Sequence, residues 1–233
     1  MKRFAICLAF LAATCAVQAD VVLGWDVSGL SGTPGSVTSS VHAAGVVTGQ
    51  LITRGAGLTA NSGSDQFAAT AWTLNGTSAT AASAQDYFAF TVSPSNGFAL
   101  VITNIVIRTQ RSSTGPTNFS VRTSSDNYTA DIATLTNTTA NASNLTINVA
   151  ITTSGTIEFR LYGYNAGASG GTGLIADGGD FGQAGLDLAL LGYPAPGPGI
   201  PTLSEWGMIF LLVILVGAGA YKIMRQKPDA ETA

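Results

Sequence analysis

From Asp20 to Tyr193, apolar and polar residues alternate in short runs separated by clusters of Gly, Asn, Ser and Pro. A period of two is that of a strand with one buried and one wet face. In "TIEFRLYGY", Ile157, Phe159, Leu161 and Gly163 share one face, and Glu158, Arg160, Tyr162 and Tyr164 share the other. Comparable runs occur at 21–27, 49–54, 68–74, 86–92, 98–103, 105–110, 118–124, 145–152 and 186–192, and no stretch carries a helical period of adequate length. About ten short strands joined by turns predict an all-β domain over 20–192, an antiparallel β-sandwich of jelly-roll type. Its expected interior is Trp25, Trp72, Phe88, Phe90, Phe98, Phe119, Phe159 and Leu161.

Such a sandwich must hold without cross-links. The two cysteines, Cys7 and Cys15, both lie in the first nineteen residues, so the domain has no disulfide, thiolate metal site or cysteine nucleophile. Charge is sparse as well: 10% of the chain is Asp, Glu, Lys or Arg, against roughly 25% in an ordinary globular protein. From Asp20 to Tyr193 five arginines face ten carboxylates, a net charge of 5 − 10 = −5. That balance excludes a phosphate-binding surface, and no nucleic-acid partner is expected.

The two ends read as targeting segments. Residues 1–19, "MKRFAICLAFLAATCAVQA", join a basic start (Lys2, Arg3) to an apolar core and end on small residues. This is the pattern of a secretory signal peptide, with cleavage expected between Ala19 and Asp20. After the domain, residues 193–199 form a Pro/Gly-rich linker of semi-extended character. The uncharged run Met208 to Tyr221 follows, then Lys222, Arg225 and Lys227. Extended to 206–224, the run would be about 28 Å long as a helix, and it is expected as one transmembrane helix with Trp206 at one interface and the basic tail in the cytoplasm.

Residues suited to chemistry are few. The single histidine, His42, sits in "SSVHAAG" without a nucleophile motif. Glu158 is the one Glu between Asp20 and Tyr193 and stands two residues from Arg160, which suggests a surface ion pair rather than half of a glycosidase pair. The Gly-rich stretch "ADGGDFGQAGLD" offers Asp177, Asp180 and Asp187. These are either an Asp/Gly turn or hard oxygen ligands of the kind calcium takes, without EF-hand spacing. Tyr128 and Tyr164 stand either as sandwich residues or as a stacking platform for a polysaccharide. No cofactor is expected, and the chain does not read as an enzyme.

The stretch "IPTLSEWG", residues 200–207, precedes the apolar run. Physically, Pro201 fixes the chain before a helix, Ser204 is placed to cap it and Glu205 suits its first turn. With the span and basic tail that follow, residues 200–227 resemble the IPTL-CTERM family of bacterial sorting signals, similar in design to PEP-CTERM signals. Ile200, Pro201, Thr202, Leu203, Trp206 and Gly207 carry the resemblance. It implies a protein of Gram-negative bacteria that is exported, held briefly in the inner membrane with its C-terminus inside, and recognised by an exosortase-like membrane transpeptidase. The cargo would then reach the cell surface or extracellular matrix as a non-enzymatic protein. The alternative reading is a carbohydrate-binding module for an envelope or biofilm polysaccharide.

Overall fold

A computed structural model of the chain describes residues 20–137, 141–181, 185–197 and 203–225, with side chains in the last segment from 206 to 222. The proposed signal peptide, Ile200, Pro201, Thr202 and Lys227 lie outside the described residues. The strands are β1 (Asp20–Trp25), β2 (Val37–Thr38), β3 (Val41–His42), β4 (Leu51–Arg54), β5 (Thr59–Asn61), β6 (Gln66–Thr70) and β7 (Tyr87–Val92). They continue as β8 (Phe98–Arg111), β9 (Asn118–Thr123), β10 (Ala133–Thr136), β11 (Ser143–Thr153), β12 (Ile157–Tyr164), β13 (Gly173–Ala176) and β14 (Leu188–Pro196). Two α-helices, α1 (Ser78–Ala84) and α2 (Leu203–Arg225), and a short 3-10 helix at Ser124–Asp126 complete the described elements.

Among the described residues the strands pair antiparallel throughout and form two sheets, and one isolated bridge, Leu74 with Ala166, is parallel. One contains the order β11-β8-β13-β6, continued by β5, and the other the order β10-β9-β12-β7, continued by β4 and β2. From β6 to β13 the chain crosses repeatedly between the sheets, and the resulting strand order is that of a double Greek key, or jelly roll. β8 is long enough to take two partners end to end on one edge, β14 along Phe98 to Ile107 and β13 along Thr109 to Arg111. β1 and then β3 add outside β14.

The alternation is satisfied by aromatic packing between the sheets. Trp25 meets Phe90 at 5.8 Å between ring centroids, Phe67 meets Phe88 at 5.4 Å, and Phe90 stacks on Phe159 at 5.4 Å. Trp72 lies just past the end of β6, edge-on to Phe88 and Phe119, and donates its indole N–H to the Ala69 carbonyl at 2.8 Å. Gly163 on β12 is required there, because a Cβ would stand 2.4 Å from the Trp72 ring. Arg54 also reaches into the sandwich. Its guanidinium lies 3.6 Å from the Phe67 ring centroid and donates to the Ala68 and Pro34 carbonyls, and burial lowers its pKa to about 10.

The structure departs from the sequence expectations in five places. Phe98 is 40% exposed rather than core, because it opens β8 beyond the sandwich interior and lies over Gly45. Helix α1, which the periodicity does not predict, is a capped Ala/Ser turn with one buried residue, Ala81, so it has almost no apolar stripe to read. Thr77 and Thr80 close its N-terminus by reciprocal bonds. The linker starts late, since Tyr193 to Pro196 continue β14 against Val101 to Phe98. Pro194 and Pro196 lie beyond Gly192, the last β14 residue that pairs with β1 among the described residues. Helix α2 begins at Leu203, which puts Ser204 inside its first turn instead of at the cap.

The fifth departure is the transmembrane helix over 206–224. No helix among the described residues is long and apolar enough to cross a membrane. The uncharged run Met208 to Tyr221 has fourteen residues and rises about 21 Å, short of a hydrocarbon core of about 30 Å. Gly217 to Ala220 dilute its apolarity, and a span longer than Trp206 to Tyr221 must include Glu205 or Lys222.

Candidate functional site

Three places in the domain gather chemistry, and the C-terminal segment stands apart from them. The first is made by strand ends. Asp26 follows β1, Asp177 follows β13 and Asp187 precedes β14. Because Trp25 pairs with Leu188, Asp26 is brought against Asp187, whose N–H donates to the Trp25 carbonyl at 2.9 Å. Because β13 and β14 share one edge of β8, Asp177 arrives at the same point. One carboxylate oxygen from each residue lies within 4.8 Å of the others.

Asp187 is fully buried. Its two oxygens accept from the backbone N–H groups of Val27 and Gly179, both at 2.9 Å. Burial pushes its pKa up, the two backbone donors oppose this, and the charges of Asp177 and Asp26 add to the rise. Three carboxylates at this separation could hold a hard cation, although calcium takes 6–8 oxygens and would need further ligands. Asp180, grouped by sequence with Asp177 and Asp187, is not part of the cluster and accepts from the Gly185 N–H at 3.0 Å. Asp26 was missed because nothing local links it to a loop near the other end of the domain. The only available signal was its place at the end of the apolar run "VVLGW".

The second place is the outer face of β12. Arg160 sits between Tyr128, 3.6 Å from that ring's centroid, and Tyr87 at 4.4 Å, and pairs with Glu158 at 2.7 Å. Tyr128 donates to the same Glu158 oxygen at 2.9 Å. Burial, this bond and the Glu158 charge push the Tyr128 pKa up to about 12. Tyr128 is therefore occupied with Arg160 and Glu158 on one ring face and at its hydroxyl. Beside it, Arg122 pairs with Asp131 at 2.6 Å and also donates to the Tyr128 carbonyl. Burial raises the Asp131 pKa, but hydrogen bonds from Ser78 and Arg122 and the Arg122 charge outweigh it, leaving a net depression.

The third place is an open groove of about 470 Å³ beside β11, lined by Ser124, Ser125, Ala150, Ile151, Thr152, Thr153, Thr156 and Ile157. Its walls carry hydroxyls, aliphatic side chains and backbone. It can hydrogen-bond and bury apolar surface, but its side chains contain no group that exchanges protons near neutral pH. His42 lies elsewhere, exposed on β3.

The C-terminal segment is chemically different. Along α2, Trp206 is 56% exposed and Phe210 71%, and among the described residues no α2 side chain joins the hydrophobic clusters of the domain. Lys222 is exposed at its far end, and Arg225 is its last residue. Helix α2 therefore presents a contiguous exposed apolar surface among the described residues. No curated protein matches this chain. The segment that includes this helix does match a family model, that of the IPTL-CTERM motif, over residues 198–226.

Proposed function

We infer that the chain is an exported, non-enzymatic protein of the cell surface or extracellular matrix, sorted by an exosortase-like membrane transpeptidase that reads its C-terminal segment. The observation that carries this reading is the IPTL-CTERM motif over residues 198–226, which fits export and surface localisation. The arrangement of the segment supports it. The motif begins directly after Gly197, where the last strand of the domain has ended at Pro196, and α2 leaves its apolar side chains uncovered. A sorting enzyme can grip such a segment while the β-domain remains folded.

The non-enzymatic part of the reading draws on how the domain uses its ionisable groups. Asp187 accepts two backbone N–H groups, Asp131 is paired with Arg122, and Glu158 is held by Arg160 and Tyr128. Groups committed in this way are structural. The test is mass spectrometry of the protein recovered from the cell surface. The expected mature C-terminus lacks Met208 to Ala233, and surface material with an intact tail overturns the reading.

A further inference from the structure

The first and last strands of the domain are neighbours and run antiparallel, so the chain enters and leaves the sandwich at one end. β1 begins at Asp20 opposite Gly192, and β14 continues past that point to Pro196. Residues 1–19, with their apolar core, therefore join the domain at the end from which the C-terminal segment departs. Gly197 is fixed there by its N–H, which donates to the Gly97 carbonyl at 2.9 Å. Residues 198–202 link it to α2, and a stretch of that length reaches about 20 Å when fully extended.

Three loops build this end. Val46 bridges to Pro94, the Val47 N–H donates to the Ser93 carbonyl at 2.9 Å, and the Ser95 N–H donates to the Gly45 carbonyl at 2.8 Å. Phe98 lies against Gly45 and pairs with Pro196. Residues 43–53, 88–107 and 188–197, which supply these loops and their strands, contain no charged side chain. Phe98 and Val47 are nonetheless 40% and 41% exposed. Asp126 stands two strands away, past the end of β9, and its carboxylate accepts from the Ala130 N–H and the Thr129 hydroxyl of its own loop. The opposite end of the sandwich is different in charge, since Asp26, Asp65, Asp177, Asp180 and Asp187, five of the domain's ten carboxylates, lie in the loops there.

We propose that this end of the domain rests on a lipid bilayer, with Phe98 and Val47 entering the interface while the terminal segments hold the chain there. Two apolar segments converge on this end, and a lipid surface is a partner that both of them and the patch can enter together. Two side chains cover far less than the roughly 800 Å² per partner of a stable protein interface. Tethering raises the effective concentration of the patch at the surface, so a weak contact is enough. The charge distribution agrees, because anionic headgroups repel carboxylates and the five at the far end are held away from them. This orientation rests on the export reading for its membrane, and it needs no helix that crosses the bilayer.

The test uses the full chain with Cys7→Ser and Cys15→Ser, so that one introduced cysteine carries a fluorophore, on phosphatidylcholine vesicles whose acyl chains bear nitroxide quenchers. A label at Asn96→Cys, beside the patch, should lose most of its emission, whereas a label at Ser64→Cys, exposed at the far end, should keep it. Phe98→Ser combined with Val47→Ser should restore the emission at Asn96→Cys, while flotation shows the chain still held on the vesicles by its terminal segments. Thermal melting verifies that each variant is folded. Absence of vesicle binding, equal quenching at the two sites, or quenching that survives the double substitution would each overturn the proposal. So would a label at Asn96→Cys that escapes both the nitroxides and water-borne iodide, because a second protein would then cover this end. No sorting enzyme is present in the vesicles, so these failures leave the C-terminal sorting reading standing, and an uncut tail at the cell surface leaves the vesicle result standing.

Discussion

The β-domain and helix α2 both contain large apolar side chains and treat them oppositely. In the domain, Trp25, Phe67, Phe90, Phe159 and Leu190 are at most 1% exposed, each facing partners from the opposite sheet or its own. In α2, eight consecutive residues from Met208 to Leu215 are 48–71% exposed. The difference is one of pattern more than of hydrophobicity. Alternation every second residue gives a strand one face to bury, whereas a contiguous run around a helix gives no single face and leaves nothing for the sandwich to pack against. The domain is therefore held by its apolar residues, while the helix displays them.

Truncation in the core should give the largest effect that separates the two regions. Trp72→Ala or Phe90→Ala is expected to cost about 3–5 kcal/mol in urea unfolding. Leu212→Ala in α2 should change the domain's stability by no more than about 0.5 kcal/mol. A large loss from Leu212→Ala would break the comparison, since it would mean that the helix packs on the domain. Overfilling the core comes next. Gly163→Ala places a methyl against the Trp72 ring and should cost about 1–3 kcal/mol by the same measurement.

The outer face of the second sheet should show a smaller, pH-dependent effect. Asp131→Asn removes the charged partner of Arg122 and is expected to cost about 1–3 kcal/mol at neutral pH. The Asp131 pKa is depressed on folding, so its contribution is present above the unfolded value and is lost as pH falls through the folded one. Melting curves of the parent and Asp131→Asn chains should converge in acid, and a gap independent of pH would show that packing, not charge, is at work.

The aspartate cluster has the opposite sign. The raised pKa of Asp187 means that its charged form is unfavourable in the folded chain at neutral pH, a penalty that disappears as pH falls through the folded value. Asp177→Asn removes one repelling carboxylate and should stabilise the domain by a few tenths to about 1 kcal/mol at pH 7, less in acid. Trp206→Ala should affect stability least of all. Its expected effect is on the other side of the comparison, as a tail left uncut at the surface in the mass-spectrometric assay described above.

The all-β class was legible because a strand's period is local. "TIEFRLYGY" and "DYFAFTV" each disclose which side chains face inward, and the observed β12 and β7 bury those residues. Strands such as β13, four residues of "GLIA", were not legible, because a fully buried short run carries no alternation. The Glu158–Arg160 pair could be read from a spacing of two along one strand, but the position of Tyr128 over Arg160 could not. It depends on the turn after β9, where Asn127 and Tyr128 both take positive φ. Phe98 shows the reverse failure: a strong strand residue by type is exposed because β8 outruns the core at that end.

By itself the sequence determined the β class, the absence of thiols from the domain, and the C-terminal motif, since all three are properties of neighbouring residues. Only the tertiary structure decided that Asp26 joins Asp177 and Asp187 and that the linker prolines continue β14. The strand-level outcomes follow from which distant strands pair and where each partner stops. Pairing is chosen by the burial of whole faces across the sandwich, and no short window of sequence contains that information.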